Sequence, residues 1–250
     1  MPDIFASALA SDGLMWIALA TFLAGLVRGF AGFGTAMIYL PIASQFLSPV
    51  EALVTLTLMD CLGPVPAMPR ALREADWPDL RRLIVAMTVF MPIGLWLLVT
   101  VPDVVFRFGV SAVSLLLLAA LVLGLRYTGQ LSASKVFGVG ASAGVLGGAV
   151  GLPGPPVIFF YMASAHPTHV IRATTMVFLV SYDLIIFAMM GVQGLLSQSG
   201  LVLGALLILP MISGVVLGTW LFRPEYEKVY RTVAYVLIAA SALSGLPIWG

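Results

Sequence analysis

The chain has 250 residues, of which 61% are hydrophobic and only 9% charged, with a mean hydropathy of +1.09. A soluble domain carries about 25% charged residues, so the composition excludes a soluble globular protein and points to a polytopic membrane protein. A net charge of +1 without a basic run argues against a nucleic-acid partner, and the single cysteine, Cys61, excludes an intrachain disulfide and any cysteine-rich metal site.

The N-terminus carries Asp3 and Asp12 but no Lys or Arg, unlike the charged start of a cleavable signal peptide, so the first apolar segment is expected to persist in the mature protein. Hydrophobic stretches follow at about 13–47, 50–66, 80–100, 103–125, 134–164, 169–190, 200–222 and 227–248. A spanning helix needs roughly 20 apolar residues. The first and fifth stretches are too long for one helix, and each has a glycine cluster near its middle. No linker or low-complexity tract interrupts the chain, so a single transmembrane domain over 1–250 is expected.

The two long stretches resemble each other. Gly25, Gly29 and Gly32 recur as Gly144, Gly148 and Gly151, a constant offset of 119. Asp60 pairs with Asp183, Pro92 with Pro210, Gly94 with Gly214 and Pro102 with Pro224, at offsets from 118 to 123. Two copies of one unit, about 13–127 and 134–249, are expected.

The distribution of Lys and Arg argues for their orientation, because short cytoplasmic loops collect these residues. If every stretch crosses once, Arg70, Arg73, Arg81, Arg82, Arg126 and Lys135 fall on one side against Arg107, Arg172, Arg223, Lys228 and Arg231, six against five. If the two long stretches are helical hairpins that leave on the side they entered, only Arg107 remains outside, ten against one. The expected fold is therefore all-α, with two inverted repeats, each a broken helical hairpin followed by three spanning helices. That makes about ten membrane segments, with both termini outside. Hairpin arms of 15–18 residues are borderline for a span, so full and partial crossing both stay open. Broken helices in inverted repeats recur in secondary transporters, with substrate held near the midplane where the breaks meet.

Arg28 lies inside the first hairpin, in a segment hydrophobic from Leu14 to Leu47. An Arg at the bilayer centre costs roughly 3 kcal/mol on insertion scales, so it faces a cavity or a partner. The adjoining glycines of Arg28-Gly29-Phe30-Ala31-Gly32-Phe33-Gly34 let the backbone break and approach a ligand. The second hairpin turns within Gly147-Gly148-Ala149-Val150-Gly151-Leu152-Pro153-Gly154-Pro155-Pro156. Proline suits a first helical turn, so new helices are expected to start near Pro155 and, in the first copy, near Gly34-Thr35. Free N–H groups and the helix dipole at such starts attract anions, and Arg can hold an oxyanion through two parallel hydrogen bonds. The candidate binding residues are thus Arg28, Gly32, Gly34, Thr35, Gly151, Gly154 and Pro155. Against this stand two plainer readings: the glycines serve helix packing, and Arg28 makes an internal ion pair with Asp60.

Asp183, between Tyr182 and Leu184, is a candidate proton carrier, or else a protonated acid making one interhelical hydrogen bond. Asp60 is the weaker second candidate, because Gly63-Pro64-Val65-Pro66 is expected to end its helix near the cytoplasmic surface. His166 and His169 flank Pro167 without a third metal ligand nearby and read as loop residues. Arg172 reads as an interfacial side chain. No catalytic constellation or phosphate-binding loop appears. No enzyme activity, metal or cofactor is expected.

With these residues in view, the chain resembles the sulfite exporter (TauE/SafE) family of membrane permeases. The resemblance rests on Val27-Arg28-Gly29-Phe30-Ala31-Gly32-Phe33-Gly34 leading to Pro41, and on Gly148-Ala149-Val150-Gly151-Leu152-Pro153-Gly154-Pro155-Pro156 followed by Arg172. It implies secondary transport of sulfite, sulfonates such as sulfoacetate, or related small anions across a bacterial plasma membrane. Leu152-Pro153 departs from the smaller or more polar residues expected in that turn. The expected partners are a small anion, the lipid bilayer and a proton as candidate co-substrate. The glycine faces allow a homodimer without requiring one.

Overall fold

The computed structural model of the chain describes residues 13–31, 34–61, 68–124, 132–161 and 166–247. Among the described residues there are α-helices and no strands. The first half holds α1 (Leu14–Ala31), α2 (Thr35–Ala43), α3 (Pro49–Asp60), α4 (Met68–Glu74), α5 (Trp77–Thr100) and α6 (Asp103–Val122). The second holds α7 (Ala133–Val150), α8 (Gly154–Tyr161), α9 (Thr168–Val192), α10 (Gln198–Leu221) and α11 (Glu227–Gly245), with a 3₁₀ turn at Pro224–Tyr226.

Five of these, α5, α6, α7, α9 and α10, are long and apolar enough to cross a membrane, and α1 is a shorter apolar helix. Ten segments were expected, so the count that length and apolarity support is smaller. The shortfall has local causes. Helices α2 and α8 have 9 and 8 residues. At ~1.5 Å per residue they reach less than halfway through a ~30 Å hydrocarbon core. Helix α3 stops after 12 residues at Asp60. Three spanning helices after the first hairpin are therefore not found among the described residues; α5 and α6 have the required length. Trp96 and Trp220 are 61% and 78% exposed, amid many exposed Val, Leu and Ile side chains. An apolar surface of that extent suits lipid contact.

Local chemistry sets the helix ends. Ser48 caps α3 by accepting from Glu51 N at 3.3 Å and donating to Glu51 Oε2 at 3.0 Å, with Pro49 in the first turn. Helix α7 ends with Gly151 at φ 68°, Gly151 N donating to Gly147 O and Leu152 N to Leu146 O. The left-handed Gly151 and its bond to Gly147 O make an αL cap, and Pro153 then bars continuation. Gly34, at φ 99°, turns the chain into α2. The new helices begin at Thr35 and Gly154, as the sequence indicated, while the second break is confined to Gly151–Pro153.

The described glycines of the first hairpin arms pack instead of turning. A Cβ at Gly25 or Gly29 of α1 would lie 2.5 Å from Met211 O or Val215 O of α10, and Gly214 and Gly218 return the contact against Phe22 and Leu26. The second half repeats the arrangement. A Cβ at Gly148 of α7 would lie 2.7 Å from Met91 O and Leu95 N of α5, and Gly94 meets Val145 and Ala149. Each hairpin's first arm thus runs parallel to a proline-bearing helix of the other half, Pro210 in α10 and Pro92 in α5. The glycine faces that could have held a second copy are covered by the chain's own helices.

Both hairpins return to the level at which they began. Phe46, after α2, lies against Gly13 at the start of α1. There Glu51 Oε1 accepts from Ser199 Oγ at the start of α10 at 2.9 Å. After α8, His166 Nε2 lies 3.2 Å from Asp76 Oδ2 at the start of α5. Asp76 N also donates to Thr174 Oγ1 in the first turns of α9 at 2.9 Å.

Candidate functional site

Both breaks and the buried charges converge on one cavity of about 90 Å³. A water needs roughly 10–15 Å³ of such space, so the cavity has room for several waters or a small ion. Arg28 in the last turn of α1, Gly34 and Thr35 at the start of α2, and Asp60 at the end of α3 line it. Gly151 of the second break and Gly154 and Pro155 at the start of α8, with Tyr182 and Asp183 of α9, also line it. Every candidate residue from the sequence is therefore brought together here except Gly32, which lies outside the described residues.

Arg28 Nη1 lies 2.5 Å from Asp60 Oδ1 and 3.4 Å from Thr35 Oγ1. The Arg28 and Asp60 side chains keep only 15% and 16% of their surface. The plainer reading of Arg28 as one half of an ion pair with Asp60 thus describes a real contact, but the pair forms part of a cavity wall. The expectation that Asp60 lies near the cytoplasmic surface is corrected. Gly200 of α10 meets Val54 and Gly204 meets Leu58, which puts Asp60 level with the middle of α10. Asp183 is 5% exposed and lines the same cavity.

The two breaks offer different chemistry. At the first, the opening N–H groups of α2 have no carbonyl four residues back within the helix, and Arg28 stands beside them. At the second, the N–H groups of Gly151 and Leu152 are spent on closing α7, and Pro155 and Pro156 have none. Gly151, expected to supply an N–H donor, instead supplies the turn: a Cβ there would lie 2.7 Å from Leu40 and 2.9 Å from Leu53. In the sequence Tyr182 stands out only as a neighbour of Asp183. Its hydroxyl donates to Gly147 O at 2.9 Å, tying α9 to the second hairpin. The offset of 35 residues left no sequence signal.

His166 is also more than a loop residue. It gathers with Asp76 and Asp79, their ligand-type atoms within 4.8 Å of one another, while Arg82 Nη1 holds Asp79 Oδ1 at 2.7 Å. Arg172 is exposed and does not line the cavity, in keeping with its interfacial reading.

Apolar spans around a buried, charged cavity define a multi-pass membrane protein. The family model described as sulfite exporter TauE/SafE matches residues 17–245, so the chain belongs to that family. No curated protein and no solved structure matches the chain. Membership makes the protein a membrane transporter of the sulfite exporter type, a class without enzymatic activity.

Proposed function

We propose that the protein is a secondary transporter of small oxyanions, sulfite or organosulfonates such as sulfoacetate foremost, working by alternating access about the cavity between the two hairpin tips. The observation that carries this reading is the meeting of Arg28, the start of α2 and the second break on a single cavity. Arg28 binds the anion through its fork, Thr35 adds a hydroxyl and the first turn of α2 adds N–H groups. Gly34, Gly151, Gly154 and Pro155 shape the walls. Asp183, with Asp60 behind it, carries protons if transport is coupled to them.

The layout we infer is one domain over 1–250, with inverted repeats at about 13–127 and 134–249, in a bacterial plasma membrane with both termini outside. The reciprocal packing of α1 on α10 and α7 on α5 supports the repeat. The return contacts support the inversion. The first hairpin closes beside the start of α10, the second beside the starts of α5 and α9. Helix α9 runs 25 residues, the width of a membrane, between those two levels.

One observation favours a second reading, a non-transporting scaffold or sensor: the Arg28–Asp60 ion pair already satisfies both charges. Uptake of radiolabelled sulfite by proteoliposomes separates them. Saturable uptake that shows counterflow supports the transporter. Unsaturable downhill flux supports a channel, and no flux of sulfite or any tested sulfonate supports the scaffold.

A further inference from the structure

We propose that Asp60 is a built-in competitor for the transported anion, so that an anion gains Arg28 only as Asp60 takes up a proton. This rests on the oxyanion reading above and deepens it. The guanidinium that would hold the anion is engaged, because Arg28 Nη1 meets Asp60 Oδ1 at 2.5 Å. The charge count points the same way. Among the residues lining the cavity, Arg28 is the cation, while Asp60 and Asp183 are carboxylates and Tyr182 the remaining ionisable group. With both acids ionised the wall is net negative and repels the ligand it is built to take.

Asp60 already occupies Nη1, so a sulfonate that takes the arginine fork through two parallel hydrogen bonds has to displace it from that nitrogen. Once displaced, Asp60 is a poorly hydrated carboxylate with Asp183 lining the same cavity. An unpaired charge in such a place is strongly disfavoured, and a proton from solution removes it. The exchange balances: one anion comes to Arg28, one proton comes to Asp60, and both leave together. The groups facing Asp60 from the packed elements are Arg28 of α1 and Tyr182 and Asp183 of α9, with Cys61 next in the chain. Helix α10, also packed on α3, has no titratable residue; Tyr39 of α2 is bonded to Thr55. The charged residues of α5 and α6 lie in their opening turns.

The test is calorimetric binding of methanesulfonate, whose charge is fixed across pH 6 to 9, to the purified full-length protein. The wild type should lose about tenfold in affinity per pH unit where one proton is linked. Asp60→Asn should bind at pH 9 at least as tightly as the wild type at pH 6, with that slope gone. Titrations of the wild type in buffers of different ionisation heat should show about one proton taken up per anion. Zero protons overturns the proposal even if Asp60→Asn does not fold. So does an Asp60→Asn protein that binds more weakly with the wild-type slope, which would make Asp60 a positioning residue for Arg28. Absence of any sulfonate or sulfite binding to the wild type at every pH overturns the oxyanion reading itself; pH-independent binding that Arg28→Ala abolishes overturns only the competitor.

Discussion

Arg28 and Asp60, 32 positions apart, meet at 2.5 Å on the wall of a cavity that both hairpin breaks reach. One comes from the last turn of α1 and the other from the last residue of α3. Their contact ties the first hairpin to the helix that follows it. A pair of this kind is costly to break by removing one partner, because the other is left charged and poorly solvated.

The planar fork of Arg28 is expected to matter beyond its charge. Arg28→Lys keeps the cation but loses the bidentate geometry. Sulfite affinity should fall about 10- to 100-fold, as for the loss of one hydrogen bond to a charged group, worth ~1.5–3 kcal/mol. Competition binding with radiolabelled sulfite measures it; unchanged affinity would mean that Arg28 acts only as a point charge.

Close helix packing should show in stability. Gly148→Val places a side chain 2.7 Å from the α5 backbone and should destabilise by about 1–3 kcal/mol, the usual cost of overpacking. Gly138→Ala in the same helix meets nothing within 4 Å and should be neutral or stabilising by about 0.5–1 kcal/mol. Thermal unfolding of both in detergent decides; equal effects would contradict the packing described.

Much of this geometry is legible in the sequence, and the exceptions have physical reasons. The starts of α2 and α8 follow from Gly34 and the Pro155-Pro156 pair, because left-handed turns and N-terminal prolines are local rules. Gly25, Gly29, Gly144 and Gly148 are ambiguous in sequence, since glycine serves packing and breaking alike. Only the backbones of α10 and α5 beside them decide. Asp60 is misplaced by its neighbours Gly63 and Pro64. They suggest a helix end at the surface, whereas α3 is short and ends level with the middle of α10. His166 meets Asp76 and Asp79 across some 90 residues, a proximity that no local pattern encodes.

Tyr182 joins α9 to the second break through Gly147 O, which also accepts from Gly151 N. Tyr182→Phe removes one of two donors without opening a cavity, so a loss of about 0.5–1.5 kcal/mol is expected. Sulfite uptake should fall with it if the break must stay in register with Asp183. Unfolding and uptake measured on one preparation test this; a stable variant with normal uptake would limit the contact to packing.

The inverted layout makes a labelling prediction. With Cys61→Ser as background, Ser199→Cys beside Glu51 and Arg70→Cys in α4 should react with an impermeant maleimide from opposite sides of the membrane. Arg70 is 81% exposed, so access does not limit the reaction. Labelling of both from one side would contradict the inversion.

The most direct test of the anion site is equilibrium binding of radiolabelled sulfite to purified wild type and Arg28→Ala, with unfolding temperatures recorded for both. Saturable binding to the wild type that disappears in a folded Arg28→Ala protein is the expected result. Equal binding by the two would contradict the assignment of Arg28, and with it the cavity, to the transported anion.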